Sequence, residues 1–186
     1  MALDKNKKLL LTAGAVLLGA AIISSCSSTN APLETVPNVD LERYMGRWYE
    51  IASIPQRFTK GCRCTTADYT FKAEKGYVEV YNSCLKKGKT SDVKGKAFPV
   101  EGSSNSKLRV QFFWPFKGDY WILELDPEYR YVMVGAPDRE SLWFLSRTPT
   151  MDDATYARLE QIAKAKGFPV ERLQMTDQQC AKNRIR

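Results

Sequence analysis

No histidine occurs among the 186 residues. That absence removes His-based catalytic triads, imidazole proton shuttles and histidine metal sites together. The apolar run from Leu9 to Ile23 has 15 residues, short of the roughly 20 that cross a bilayer as a helix. Cysteines number only five, and none forms a C-x-x-C redox pair. Cys62-Arg63-Cys64 is a C-x-C, and zinc would need every remaining thiol of the exported chain. No catalytic constellation, cofactor or metal site is therefore expected.

What is present begins with Lys5, Lys7 and Lys8 ahead of the short apolar run. A basic start and a short apolar core predict a secretory signal over residues 1–25. Residues 26–38, rich in Ser, Pro and Asn, read as a flexible linker. Ile23-Ser24-Ser25-Cys26 resembles a bacterial lipobox, which implies acylation of Cys26. One acyl chain anchors weakly, so stable attachment takes more than one; lipoproteins of this kind carry three. Ser27, rather than Asp, resembles an outer-membrane address, with the periplasmic or surface face left open. Removing Lys5, Lys7, Lys8 and Asp4 with the signal lowers the net charge from +7 to +5. A basic balance suggests an anionic partner or surface and does not name it. Cys62, Cys64, Cys84 and Cys180 are an even set, which favours two disulfides in an exported chain.

From residue 46 the chain reads as short β runs between turn signals. They are 47–54, 64–72, 77–85, 91–100, 107–113, 120–126, 130–136 and 141–147. No long helix interrupts them, so the expected fold is all-β: an eight-stranded antiparallel up-and-down barrel over 39–180. Residues 181–186 are a tail. Thr150 and Asp153 form a capping-box-like T-x-x-D, Tyr156, Leu159, Ile162 and Ala163 repeat at helical spacing, and Gly167 stops the run. One C-terminal helix is predicted to pack outside the barrel.

Alternation puts Trp143, Leu145 and Arg147 on one face of the last strand, and Trp48, Glu50 and Ala52 on one face of the first. In a closed barrel these strands are neighbours. An inward Arg147 needs a partner, and the π-face of Trp48 would serve. Gly46 permits a close backbone approach there.

Gly46-x-Trp48, the stretch Asp126 to Tyr131, and Arg147, in this order on matching strands, resemble the three motifs of lipocalins. "RYMGRWYEIA" and "LDPEYRYVMVGAPDRESLWFLSRTPT" look closest to bacterial outer-membrane members, whereas "CTTADYTF" and "MTDQQC" look like apolipoprotein D. The resemblance covers about residues 38–180. It implies a calyx for one small apolar ligand, with Tyr69, Asn82 and Trp143 in the pocket and Gly46, Trp48 and Arg147 at the closed floor. Side-chain parity adds Ala52, Ala67, Phe71, Val80, Val110, Phe112 and Leu145 to the inward set. The sixth strand is apolar on both faces; Tyr120 and Ile122 are taken as inward. The resemblance also implies Cys64–Cys180, which leaves Cys62–Cys84. A four-residue turn at 73–76 sets Cys84 nearer Cys64 than Cys62, in tension with that pairing.

Three functions fit. The first is a carrier of fatty acids or lysophospholipids at the outer membrane, held there by lipid on Cys26. The second is an enzyme acting on a lipid through Glu50, Glu124 or tyrosines. The third is a tethered structural domain with a filled barrel. The lipid carrier is the expectation, not an enzyme, with no nucleic-acid partner, as a monomer or weak dimer. Loops 1–2, 3–4, 5–6 and 7–8 share the mouth of such a barrel. They carry Arg57, Lys60, Arg63, Lys86, Lys87, Lys89, Lys117 and Arg139 against Asp119, Asp138 and Glu140, so an anionic head group is expected at the rim. Trp114, Pro115 and Phe116 in loop 5–6 are placed to touch a bilayer surface.

Overall fold

The computed structural model describes residues 32–57 and 59–180. The signal reading for 1–25, the lipidation site Cys26, the linker as far as residue 31 and the tail 181–186 lie outside the described residues. Eight strands follow in order: β1 (Gly46–Ser53), β2 (Cys62–Lys72), β3 (Tyr77–Lys86), β4 (Lys89–Pro99), β5 (Lys107–Gln111), β6 (Gly118–Leu125), β7 (Tyr131–Gly135) and β8 (Leu142–Ser146). Each pairs antiparallel with the next, and β8 returns to β1, closing the barrel. Closure removes the exposed edges that an open sheet would present. A ninth strand, β9 (Gln174–Met175), lies along β1 opposite Ala52 and Ser53, beyond the point where β2 has left it.

Two α-helices flank the barrel among the described residues. α1 (Leu41–Tyr44) precedes the barrel; Asp40 caps it, its carboxylate accepting from the Glu42 and Arg43 amides. α2 (Asp153–Ala165) packs outside. Its cap is Asp152, not Thr150: the Asp152 carboxylate accepts from the Thr155 amide at 2.8 Å. The Thr150 carbonyl is occupied instead by the Thr148 hydroxyl at 2.7 Å.

Apolar side chains divide into two layers, as the period-2 alternation of half-covered strands requires. Inside lie Trp48, Tyr69, Val78, Val80, Leu108, Ile122, Val132, Val134 and Leu145, with Val39, Leu41 and Tyr44 from the N-terminal segment. Outside, Ile51, Leu123, Met133, Leu142 and Phe144 meet Leu159 and Ala163 of α2 and Phe168 after it. Each large side chain so covered contributes about 1.5–3 kcal/mol. Gly135 makes room here: a Cβ on it would sit 2.6 Å from the Phe168 ring.

Ala52 corrects the sequence expectation. It belongs to the outer layer beneath α2, not to the inward face of Trp48. The register of β1 on β8 shifts between Glu50, opposite Leu145, and Ala52, opposite Phe144. An extra residue at such a bulge reverses the parity of everything after it. Ser53, opposite Trp143, takes the inward position instead.

Candidate functional site

The three motif regions meet at the closed end. The Arg147 guanidinium stacks 3.8 Å from the centre of the Trp48 ring. It donates to the carbonyls of Arg47 (2.9 Å), Arg43 (2.8 Å) and Tyr129 (3.3 Å). One side chain thereby ties β1, the segment before it and the β6–β7 turn together. Trp48 is fully buried, and its indole N–H donates to the Tyr44 carbonyl at 2.9 Å. Gly46 turns with φ +89°, where a side chain would be strained. In the β6–β7 turn, the buried Asp126 carboxylate accepts from the amides of Glu128 and Arg130 and from the Arg130 guanidinium. Those hydrogen bonds, the guanidinium's foremost, hold its pKa down at about 2.

Above the floor rises the wall. Ala67, Tyr69, Phe71, Val80, Val110, Phe112, Tyr120, Ile122, Trp143 and Leu145 all belong to the inner layer. Asn82 stands opposite Ala67 and follows Val80 on the same face. The β6 choice is resolved: Tyr120 and Ile122 face in, while Trp121 and Leu123 face out toward the helix layer. Phe112 covers a gap left by Gly95, where an added Cβ would lie 2.7 Å from its ring. Ala67, Phe71, Asn82, Val110, Phe112, Tyr120 and Trp143 keep accessible surface although they point inward. Two polar side-chain atoms, Asn82 Oδ1 on the inner wall and Thr65 Oγ1 at the irregular start of β2, are buried without a hydrogen-bond partner.

Between floor and wall sits a group that sequence reasoning did not assemble. The Tyr44 and Tyr120 hydroxyls are 2.7 Å apart, and Tyr120 and Tyr69 hydroxyls 3.2 Å. Tyr44 stacks on Tyr69 at 5.9 Å and packs on Trp48 at 5.2 Å. Burial raises all three phenol pKa values well above the ordinary value. The signal available beforehand was Asp40 as an N-cap with Leu41 and Tyr44 at i, i+3, which marks α1 and the inward side of Tyr44.

Beside the mouth, β1 parts from β2 and the C-terminal segment fills the seam. The Gln178 amide donates to the carbonyls of Glu50 (2.8 Å) and Thr65 (2.9 Å), bridging the two strands. Cys62 is bonded to Cys84 and Cys64 to Cys180, the pairs that the resemblance implied. The tension in register disappears because β2 shifts by a residue between Arg63 and Thr66, with Cys64 at φ +51°. The bulge brings the Cα atoms of Cys62 and Cys84 within 5.5 Å. Glu50 is 8% exposed, and its carboxylate accepts from Ser53 (3.1 Å) and Thr176 (2.6 Å). Burial pushes its pKa up, against the pull of those two hydrogen bonds. Glu124 instead faces outward, paired with Arg158 of α2 at 3.0 Å.

At the rim, Phe113, Trp114 and Phe116 are 71%, 86% and 77% exposed. Arg57 and Lys60 in loop 1–2, Lys87 in loop 3–4 and Lys89 at the start of β4 are also exposed. Other predicted rim cations are engaged: Arg63 with Asp177 at 3.2 Å, Arg139 with the Lys166 and Pro137 carbonyls, and Lys117 over the Phe98 ring.

A family model described as a lipocalin-like domain matches residues 39–178. The outer membrane lipoprotein Blc of Citrobacter freundii is 39% identical over 167 residues, covering 86% of this chain and 92% of its own. Apolipoprotein D of Bos taurus is 36% identical over 180 residues, covering 91% and 94%. Insecticyanin from the tobacco hornworm Manduca sexta superposes with a TM-score of 0.63 at 20% identity, covering 78% and 84%. With its closed eight-stranded barrel, its floor of three converging motifs and these relatives, the chain belongs to the lipocalin-like family.

Proposed function

We propose that this protein is a lipid carrier of the outer membrane, anchored through acylated Cys26, which holds one single-chain lipid such as a fatty acid or lysophospholipid in its calyx. The observation that carries this reading is the inner wall. Side chains such as Ala67, Phe71, Val110, Phe112 and Trp143 point inward yet keep accessible surface, as the lining of an open lumen does and a filled core does not. The name borne by the Citrobacter relative supports the membrane address. At the mouth, the exposed aromatics of loop 5–6 suit the amphipathic boundary of a bilayer, and Arg57, Lys60, Lys87 and Lys89 suit an anionic one.

The enzymatic alternative has less to stand on. Glu50 is occupied by Ser53, Thr176 and the C-terminal seam, and Glu124 by α2. Both carboxylates have structural partners where a general base needs a substrate proton.

Native mass spectrometry of the purified chain with palmitate tests the binding. A one-to-one adduct is expected, and absence of any single-chain lipid adduct leaves the filled barrel. For the address, a Cys26→Ala chain should leave the acylated outer-membrane fraction; if it stays, the anchor lies elsewhere.

A further inference from the structure

We propose that Tyr44, Tyr69 and Tyr120 form a donor site at the bottom of the calyx that takes the oxygen end of the ligand, so that a fatty acid or fatty aldehyde enters head first. This rests on the lipid-carrier reading and fixes the direction in which the lipid lies.

Three elements remote in sequence, α1, β2 and β6, aim one phenol each at the same place. Their hydroxyls form a chain of two links, 2.7 Å and 3.2 Å long. Each hydroxyl carries one proton. Two links use two protons, whichever way they run, and the third has no acceptor within the chain. The surroundings are apolar: Val80, Leu108, Ile122 and Leu145 belong to the same inner layer. A buried donor in such a place seeks an acceptor. Phenylalanine at any of the three positions would fill the same volume without that demand.

The demand also has a sign. Burial keeps the phenols protonated across neutral pH, so the cluster offers a donor and not a phenolate. Arg147 lies on the Trp48 ring at the floor, and its charge favours an anion near the Tyr44 and Tyr120 hydroxyls; at Tyr69 the Glu50 carboxylate opposes it. A hydrogen-bond donor with a cation behind it fits a carboxyl or carbonyl oxygen. The alkyl chain then runs up the wall past Ala67 and Trp143 toward the mouth. In this arrangement the rim cations serve the membrane surface, not the bound head group.

The experiment uses the full chain loaded with palmitic acid carrying carbon-13 at its carboxyl. The expected carboxyl resonance is unaffected by a gadolinium chelate in the solvent. It should move in Tyr120→Phe and in Tyr69→Phe, and palmitate affinity should fall about tenfold in Tyr120→Phe, as for one lost hydrogen bond to a charged or polar group. The relaxation measurement needs no variant, so it decides even if one of them folds poorly. If palmitate binds but the chelate broadens its carboxyl signal, the head lies at the rim. That result overturns this proposal and leaves the carrier intact. If palmitate does not bind, this proposal fails; the carrier reading fails with it only if no lysophospholipid adduct forms either.

Discussion

Arg147 does at the residue scale what a plug does in a cask. Its guanidinium closes the floor against Trp48 and supplies donors to three carbonyls from separate segments. Arg147→Ala leaves those carbonyls short of donors and should destabilise the fold by about 1–3 kcal/mol. A denaturant midpoint equal to the parent's would show the contact to be idle. Glu50 carries a pH dependence. Its pKa is raised by burial above that of an unfolded glutamate, so the fold favours the neutral carboxyl. That contribution is full below about pH 4 and is lost as pH rises through the folded value. At neutral pH the carboxylate is therefore penalised. Glu50→Gln keeps an oxygen for Ser53 and Thr176 and should unfold at a higher denaturant concentration than the parent at pH 7. The advantage should vanish near pH 4; a gap that does not change with pH would contradict this account.

Among elements, the strands were the most legible. Alternation in β2, β3, β5 and β8 placed Tyr69, Val80, Val110 and Trp143 on the inner face because those strands are wet or helix-covered on one side only. It failed where the chain bulges. One extra residue after Glu50 sends Ala52 outward, and another in β2 turns Cys64 toward the C-terminal segment. Bulges leave little trace in a pattern of apolar and polar letters, since they depend on how two strands pair. β9 was illegible for a related reason: two residues carry no periodicity, and their place is fixed by Cys180, Gln178 and Thr176. That segment should be the first to open when its tie is cut. Cys180→Ser is expected to cost about 2–4 kcal/mol, as for loss of a bond closing a long loop. Hydrogen exchange should rise around Cys64 and Thr176–Gln178 while β3 and β4 stay protected. Equal protection throughout would mean the seam is held without the bond.

For the whole molecule, eight short β runs with no long helix between them were enough to predict a closed barrel, and one capped, periodic stretch after them a helix outside; closure is what brings Trp48 and Arg147 together. The tyrosine cluster was not predictable in the same way. Tyr44 is contributed by a four-residue helix before the barrel, and convergence of three distant segments has no local signature. The C-terminal seam bears on a different matter, the timing of folding. Glu50 and Gln178 are 128 positions apart, and Cys64 and Cys180 116. β1 is the first strand in sequence, yet one of its edges waits for β8 and the upper part of the other, which β2 leaves open, waits for β9. Contacts of such long range are slow to form and cannot begin before synthesis is nearly complete. A chain that stops short of Gln178 would lack the bridge between β1 and β2. Residues 174–180, made long after β1, are thus the ones that certify the first strand as finished.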